Sequence, residues 1–299
     1  MLSTKEVRLA SGRCARRVVA GMVLVSTLLL AAQPSHAAEA NLVRNGDAEL
    51  GNAENWGRKF TIVTDDVHSG KNSFQRKGPI TILSDDFIPV DGEKTYVLSG
   101  WFKSQGEEPS RVYLGYVPYD ENKTRIVCAN VSVTAGSETA LTAAVSKGDT
   151  VLKIANGAKW VAKSSAVVAF EVDASGEYKD LPNRKLSSSG IASVENKGDF
   201  WEVTLLKPCG MEYPAGTLVR QHNDGGAYIY NAAASKVIPK EWTECRGLIK
   251  GIAKSGSPTN RWWPGTKYAR IMVMPHYKQA GPGFVLLVDD ISMTAQEPE

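Results

Sequence analysis

The feature that most constrains the fold is a recurring alternation of apolar and polar residues with a period of two. In the segment 94–103, Tyr96, Leu98 and Phe102 share one parity, whereas Trp101 has the other. Comparable segments are 111–119, 124–133, 243–252, 268–274 and 284–293. Strands that follow one another without long amphipathic helices are typical of antiparallel sandwiches. The pattern therefore predicts an all-β chain.

The stretch from residue 137 to residue 222 has a different sequence pattern, with shorter strand-like segments joined by loops. These segments are 151–154, 166–172, 190–194 and 200–205. A stretch of this length between two strands far exceeds an ordinary loop, so we expect it to fold around its own small core. The predicted organisation is a discontinuous sandwich of residues 41–136 and 223–296, interrupted by an inserted small β-domain of residues 137–222.

Residues 1–37 have the pattern of a secretory signal peptide. A basic start is followed by an apolar run, residues 18–32, and by the small residues of Ser35-His36-Ala37. The apolar run is short for a bilayer span, and no later segment is long enough. Arg16-Arg17 leaves the twin-arginine route as an alternative to the general secretory path. We expect a secreted, periplasmic or cell-surface protein with no membrane span after signal removal.

The net charge of +3 is a property of this leader rather than of the remaining chain. The leader contains five of the 35 basic residues and one of the 32 acidic residues, which leaves 30 basic and 31 acidic residues. No basic field remains to attract nucleic acid. After signal removal the cysteines are Cys128, Cys209 and Cys245, which we expect to be small buried residues with at most one disulfide.

Four fragments occur in one order along the predicted sandwich. They are NLVRNGDAE (41–49), SGKNS (69–73), VDGEKTYVLSGW (90–101) and LVDDISM (287–293). Together they resemble jelly-roll carbohydrate-binding modules of the type appended to cellulases and xylanases, which have a galactose-binding-like sandwich. The resemblance implies an antiparallel jelly-roll fold and non-catalytic binding of a polysaccharide. The central segment resembles small β-modules found within bacterial surface and phage tail proteins, which implies no function.

The resemblance also implies a structural calcium site. Calcium prefers carboxylate and carbonyl oxygens. The family's first and last strands are adjacent, which would bring Glu49 near Asp289, with carbonyls close to Asp47 and Lys71 completing the shell. Asp290 is the alternative to Asp289. A simpler interpretation is that Asp47 and Glu49 only cap a strand and solvate a turn.

Sugar binding needs flat aromatic faces together with a few polar groups. Trp101 has the parity opposite to the predicted core face, and Tyr113 has the same outward parity on the next strand. Trp262 and Trp263 lie in a loop rich in Pro and Gly, and His276 follows a strand end. These five residues are the predicted ligand contacts. The alternatives are that single exposed aromatics are common and that Trp263 simply plugs the sandwich end.

No catalytic motif supports an enzyme. Beyond the leader, His68, His222 and His276 show no metal-ligand spacing, and no nucleophile elbow or phosphate-binding loop is present. A pair of catalytic carboxylates, as in a glycosidase, remains an alternative among the acidic residues, although catalytic glycosidase domains are mostly larger than this sandwich. Two hypotheses follow: an exported polysaccharide-binding protein with a structural calcium ion, or a structural or adhesive cell-envelope protein that uses the same sandwich without sugar affinity.

Overall fold

The structure is a computed structural model that describes residues 40–107, 109–188, 190–276 and 283–297. The predicted signal peptide, residues 1–37, lies outside these ranges. The first elements are β1 (Thr61–Val63), β2 (Ser73–Lys77), β3 (Ile82–Leu83), β4 (Ile88–Pro89), β5 (Thr95–Ser104) and β6 (Ser110–Tyr119). They are followed by α1 (Cys128–Val131), β7 (Thr139–Ala140), β8 (Val151–Ile154), β9 (Ala166–Phe170), β10 (Ile191–Asn196), β11 (Trp201–Leu205) and β12 (Leu218–Asn223). The last elements are β13 (Ile229–Ile238), β14 (Thr243–Lys250), β15 (Tyr268–His276) and β16 (Val285–Gln296).

Strands from both ends of the chain form a sandwich. The first sheet has the order β1-β2-β16-β5-β14, and the second sheet has the order β13-β6-β15-β3, with β4 also paired to β15. These pairings are antiparallel. The prediction of an all-β antiparallel sandwich is confirmed.

The core of the sandwich comes from alternate residues of both sheets. Leu98 and Phe102 of β5 are fully buried, as are Leu114 and Tyr116 of β6, and they belong to one hydrophobic cluster. Because neighbouring side chains on a strand point to opposite faces, the intervening residues lie on the outer faces of the sandwich.

Residues 137–222 contribute the remaining sheets, with the orders β10-β11-β8 and β7-β12-β9. Their apolar side chains form a separate cluster that includes Leu152, Phe170 and Val203. The two ends of the segment lie side by side, since Val133 and His222 form an antiparallel bridge. This arrangement suits an insertion into the connection between β6 and β13. That the segment folds independently stays a prediction.

The strand predicted over residues 124–133 is wrong. Arg125 makes an isolated bridge to Tyr119, and residues 128–131 form α1 instead. The Asn130 side chain accepts a hydrogen bond from the backbone N–H of Val127 at 2.9 Å. Such a local bond from an Asn side chain competes with strand pairing, which the apolar alternation of the segment does not reveal.

The cysteines of the described residues are unpaired. Cys209 and Cys245 are buried, as expected, whereas Cys128 is half-buried. Burial raises the pKa of the Cys209 and Cys245 thiols. Because the thiolate is the reactive form, these two residues are poor nucleophiles and act as small packing groups.

Candidate functional site

Trp101 lies on the outer face of the first sheet, as its parity predicts. Its neighbour Phe102 is fully buried in the core, whereas Trp101 is half-buried. Its cross-strand neighbours are Glu244 on β14 and Asp289 on β16. The indole is therefore held by a central strand of the sheet rather than by a loop.

A set of polar and aromatic residues surrounds this indole, and we call Trp101, His68, Trp242 and Asp66 the Trp101 cluster. The His68 ring is stacked on Trp101, with 3.8 Å between centroids and 16° between planes, and its edge meets Trp242 at 5.8 Å. Asp66 accepts hydrogen bonds from Trp242 at 3.2 Å and from Lys103 at 2.9 Å. His68 thus covers one face of Trp101 and reduces the area left for a ligand.

The charge of Asp66 is stabilised within this cluster. Burial acts to raise the pKa of Asp66, but the hydrogen bonds from Lys103, Gln105 and Trp242 outweigh it and hold the pKa below its usual value. Trp242 was not among the predicted ligand residues. It lies one residue before β14, outside any alternating segment, so no periodicity indicated its orientation.

The outer face of the second sheet carries a second aromatic group, which we call the Tyr113–Tyr230 platform. Its members are Tyr113 on β6, Tyr230 on β13 and His276 on β15. The ring centroids of Tyr113 and Tyr230 are 4.6 Å apart with an interplanar angle of 51°, and the His276 ring meets Tyr113 edge-on at 5.7 Å. The two tyrosines are half-buried and His276 is exposed. Three neighbouring strands therefore present rings at one place.

The Tyr230 hydroxyl of the platform stays protonated well above neutral pH. Burial, together with the proximity of Tyr113, raises the pKa of Tyr230 above its ordinary value of 10. A neutral phenol both donates and accepts hydrogen bonds. The platform can therefore offer ring faces for stacking and hydroxyls that bind polar groups of a ligand.

A backbone crossing separates this platform from the other end of the same face. Gly115 has the outward parity of Tyr113, and a Cβ atom at Gly115 would lie 1.8 Å from the carbonyl oxygen of Ile229. The backbone at Ile229 and Tyr230 therefore lies directly against β6 at this glycine, and we call residues 226–230, which contain both, the crossing segment. Its Ala227 packs in one cluster with Val117 and Met272, which are fully buried although both lie on the outer face.

Beyond the crossing segment, the outer face is aromatic and basic. Phe87 meets Tyr119 edge-on at 4.9 Å. The Lys123 ammonium lies 5.0 Å from the centroid of Phe87 and 5.4 Å from that of Tyr268. These cation–π contacts occupy the exposed ring faces, which makes this end a less open surface than the Tyr113–Tyr230 platform.

Trp262 and Trp263 are core residues, and their prediction as ligand contacts is corrected. Their relative exposures are 0% and 3%. The Trp262 ring packs against Tyr96 at 5.2 Å and against Tyr116 at 4.7 Å, whereas the Trp263 indole donates to the carbonyl of Pro258. An indole without accessible surface cannot stack on a sugar, so these residues close one end of the sandwich core.

Glu49 contacts the turn at residues 68–72, and the calcium site itself stays a prediction. Oε1 of Glu49 accepts hydrogen bonds from the backbone N–H groups of Lys71 at 2.8 Å and Asn72 at 2.9 Å. Gly70 has a φ of +65°, and a Cβ atom there would lie 2.5 Å from Glu49 Oε1. The close approach of turn and carboxylate therefore needs glycine. Asp47 is exposed, and its Oδ1 accepts from the N–H of Glu49.

Asp289 and Asp290 reach the same turn from β16. The Asp289 side chain is 0% exposed, and its Oδ2 accepts from the N–H groups of His68 at 3.0 Å and Ser69 at 3.3 Å. Burial raises the pKa of Asp289 to about 6 in spite of these bonds. Asp290 is half-buried, with Oδ2 2.6 Å from Nδ1 of His68. Asp289 is thus the buried carboxylate of the pair.

The carboxylates of Glu49, Asp289 and Asp290 converge on one turn but do not form a complete metal cage. Within the four described ranges, no three side chains of His, Cys, Asp or Glu are grouped so as to hold a metal ion. Calcium accepts main-chain carbonyl oxygens as ligands, whereas the contacts of this turn with Glu49 and Asp289 come from its N–H groups. The donor chemistry therefore fits calcium only if carbonyls such as those of Asp47 and Lys71 take part.

We predicted that no segment spans a membrane after signal removal, and the helices that the structure describes bear on this prediction. None of them has both the length and the apolar content needed to cross a bilayer.

Comparison with known proteins finds similar solved structures, while no family model and no curated protein matches the chain. The xylan-binding domain CBM22-1 of Paenibacillus barcinonensis Xyn10C is 10% identical, with a TM-score of 0.37, and the alignment covers 88% of this chain and 99% of that domain. A family 16 carbohydrate-binding module is 11% identical, with a TM-score of 0.32 and coverages of 85% and 99%. TmCBM61 in complex with β-1,4-galactotriose is 10% identical, with a TM-score of 0.29 and coverages of 86% and 99%. All three are carbohydrate-binding modules.

Proposed function

We propose that this chain is an exported, non-catalytic protein that binds a polysaccharide at the Tyr113–Tyr230 platform. The observation that carries the proposal is the pair of half-buried tyrosine rings on adjacent strands, 4.6 Å apart, with the exposed His276 ring beside Tyr113. Pyranose rings present flat C–H faces that stack on aromatic rings, and their hydroxyls need hydrogen-bonding partners nearby. The platform offers both kinds of contact.

Strands rather than loops hold these rings, and this arrangement favours binding. Tyr113 lies near the middle of the second sheet, and the neighbouring residues Val112 and Leu114 are fully buried in the core. Since their backbones are fixed before a ligand arrives, little conformational entropy is lost on binding. A rigid platform is therefore expected to bind an extended sugar chain without rearrangement.

The Trp101 cluster is a second candidate platform for the same function. It is favoured by two indoles, Trp101 and Trp242, beside polar groups of Asp66 and Lys103. It ranks behind the Tyr113–Tyr230 platform because His68 already stacks on Trp101. A sugar would have to displace His68 or use the remaining exposed part of the indole.

Retention of the mature chain, residues 38–299, on insoluble polysaccharides tests the proposal. Tyr113→Ala and Tyr230→Ala should each weaken retention by roughly tenfold or more, because loss of an aromatic stacking partner costs on the order of 1–3 kcal/mol in related systems. Tyr268→Ala is the matched control, since it removes the same side chain from the same outer face beyond the crossing segment. It should leave retention unchanged.

The same experiment separates the alternatives. Retention that is lost in Trp101→Ala and Trp242→Ala, but kept in the tyrosine variants, would move the site to the first sheet. An unmutated chain that binds no polysaccharide would contradict the proposal and favour the structural or adhesive envelope protein. Thermal melting of each variant distinguishes lost contacts from a lost fold.

The structural calcium ion is part of this proposal. The carboxylates of Glu49 and Asp289 would hold it, with carbonyl oxygens near Asp47 and Lys71, and Asp290 would be the alternative to Asp289. The bound ion would join the first segment of the sandwich to β16 through carboxylates from both. Its role would be stability rather than chemistry at the platform, because it belongs to the opposite sheet.

Thermal melting with and without a chelator tests the calcium proposal. An ion that binds the folded state stabilises it by mass action, so chelation should lower the melting temperature. Glu49→Gln keeps an oxygen that can accept from the Lys71 and Asn72 N–H groups but removes the charge, and it should abolish the response to calcium. A melting temperature of the unmutated chain that does not respond to calcium or chelator would refute the site.

A further inference from the structure

Arg111 lies next to the Tyr113–Tyr230 platform and has no acidic partner. It precedes Tyr113 by two residues on β6, so both side chains project from the outer face of the second sheet. Its cross-strand neighbour on β15 is His276, the third member of the platform. Arg111 Nη1 donates to the carbonyl oxygen of Ser235 at 3.0 Å and lies 3.4 Å from its hydroxyl. Among the described residues, no carboxylate forms an ion pair with it.

Several other arginines of the chain form ion pairs, whereas Arg58, Arg76, Arg125 and Arg261, like Arg111, form none among the described residues. Arg44 forms an ion pair with Asp86, Arg184 with Asp120 and Arg270 with Asp85. The guanidinium of Arg111 carries five N–H donors in a fixed plane, and the bonds to Ser235 use one nitrogen. Its remaining donors can form the paired hydrogen bonds that guanidinium groups make with carboxylates. An arginine of this kind beside an aromatic pair is suited to a ligand that has both a ring and a carboxylate.

We infer that the polysaccharide bound at the Tyr113–Tyr230 platform is acidic, and that Arg111 holds the carboxylate of a uronate unit whose ring stacks on the tyrosines. This inference rests on the proposed function and names the substrate class of that site. A uronic acid differs from a neutral hexose by one carboxylate attached to the pyranose ring. Stacking places that group at the edge of the platform, where Arg111 lies.

Selectivity for an acidic polymer must come from this local contact. Without residues 1–37, the chain has 30 basic and 31 acidic residues, so its net charge gives no general attraction for polyanions. Lys123 is a useful comparison, because it too lacks an ion-pair partner within the described ranges but lies beyond the crossing segment. A diffuse electrostatic effect would depend on Lys123 as much as on Arg111, whereas a built carboxylate contact would depend on Arg111 alone.

The test compares ligands that differ only in charge. The mature chain is measured by affinity electrophoresis on polygalacturonate and on its methyl ester, and then on alginate and glucuronoxylan against neutral xylan and galactan. The unmutated chain should bind at least one uronate polymer about tenfold or more tightly than its neutral counterpart, which corresponds to about 1.4 kcal/mol. Arg111→Gln should lose that preference, Arg111→Lys should keep part of it, and Lys123→Gln should keep all of it.

The outcomes separate this inference from the proposed function. Equal binding of acidic and neutral polymers, or retention of neutral polymers alone, would overturn the role of Arg111 and leave the aromatic platform intact. A preference for acid that survives in Arg111→Gln or disappears in Lys123→Gln would also overturn it. Binding of no polymer at all would overturn both. Melting temperatures of the three variants confirm that each is folded.

Discussion

At the scale of single residues, Gly115 decides how the outer face of the second sheet is divided. Its parity is outward, and the carbonyl of Ile229 occupies the place where a Cβ atom would lie. The crossing segment can therefore reach the surface of β6 only because this position has no side chain. Ala227 of the crossing segment packs with the buried Val117 and Met272, and Tyr113 and Tyr230 pack against the same cluster.

Gly115→Ala should destabilise the protein. The new methyl group would meet the backbone oxygen of Ile229, so the crossing segment must shift, and overpacking of this kind costs about 1–3 kcal/mol. Gly226→Ala is the matched control, because a Cβ atom at Gly226 has no neighbour within 4 Å. Urea denaturation of both variants measures the effect. Equal stability of Gly115→Ala and the unmutated protein would contradict the crossing.

At the scale of elements, strands with one apolar face were predicted well from the sequence, whereas strands that bury polar side chains were not. The predicted segment 151–154 coincides with β8, because Leu152 and Ile154 are buried whereas Val151 and Lys153 are exposed. β12 was not predicted, since its buried side chains include Arg220, Gln221 and His222. Hydrogen-bond partners distant in sequence satisfy these polar side chains, and a local sequence pattern does not reveal such partners.

The candidate site shows the same limit. The outward parities of Trp101 and Tyr113 were predicted from alternation within β5 and β6. Tyr230 was not singled out as a ligand residue because bulges interrupt the register between β13 and β6, so simple alternation does not fix its orientation. Trp262 was predicted to be exposed because it lies in a loop, and only the tertiary packing against Tyr96 and Tyr116 places it in the core.

The histidine of β12 makes stability dependent on pH. Burial lowers the pKa of His222 to about 4, and its ring lies between the carbonyl of Ala129 at 2.7 Å and Nε of Arg220 at 3.0 Å. The unfolded chain binds a proton at His222 near pH 6.5, whereas the folded chain does so only near pH 4. Stability is therefore lost as the pH falls from about 6.5 to about 4.

Between pH 7 and pH 5 this residue alone should cost about 2 kcal/mol of unfolding free energy. The comparison with His222→Gln isolates this contribution, because Asp289, whose raised pKa acts with the opposite sign, is present in both proteins. Unfolding free energies at the two pH values are the measurement. A variant that shows the same loss as the unmutated protein would mean that His222 titrates normally.

At the scale of the whole molecule, the two ends of the central segment lie side by side where the chain leaves the sandwich and returns to it. The backbone N–H of Thr134 donates to Gln221 at 2.8 Å, and that of Asn223 donates to Ser132 at 2.8 Å. The chain thus leaves the sandwich and returns to it at one place. Further contacts tie the segment down, among them the hydrogen bond from the Asn130 side chain to the carbonyl of Asn183.

Replacement of residues 137–222 by a short Gly/Ser linker should leave a soluble sandwich that melts cooperatively. The ends of the segment are already adjacent, so the entropy of closing the new loop is small. The melting temperature should fall, because contacts such as the Asn130–Asn183 bond are lost. Circular dichroism melting and gel filtration are the measurements, and an aggregated or non-cooperative product would contradict the predicted boundary.

The central claim is that Tyr113, Tyr230 and Arg111 together bind a sugar ring. A crystal structure of the mature chain with a short oligosaccharide of a polymer that it retains tests this claim most directly. We expect a pyranose ring stacked on Tyr113 or Tyr230, with its carboxylate against the guanidinium of Arg111. A sugar bound at Trp101 and Trp242, or one on the tyrosines with Arg111 turned away from it, would refute this binding mode.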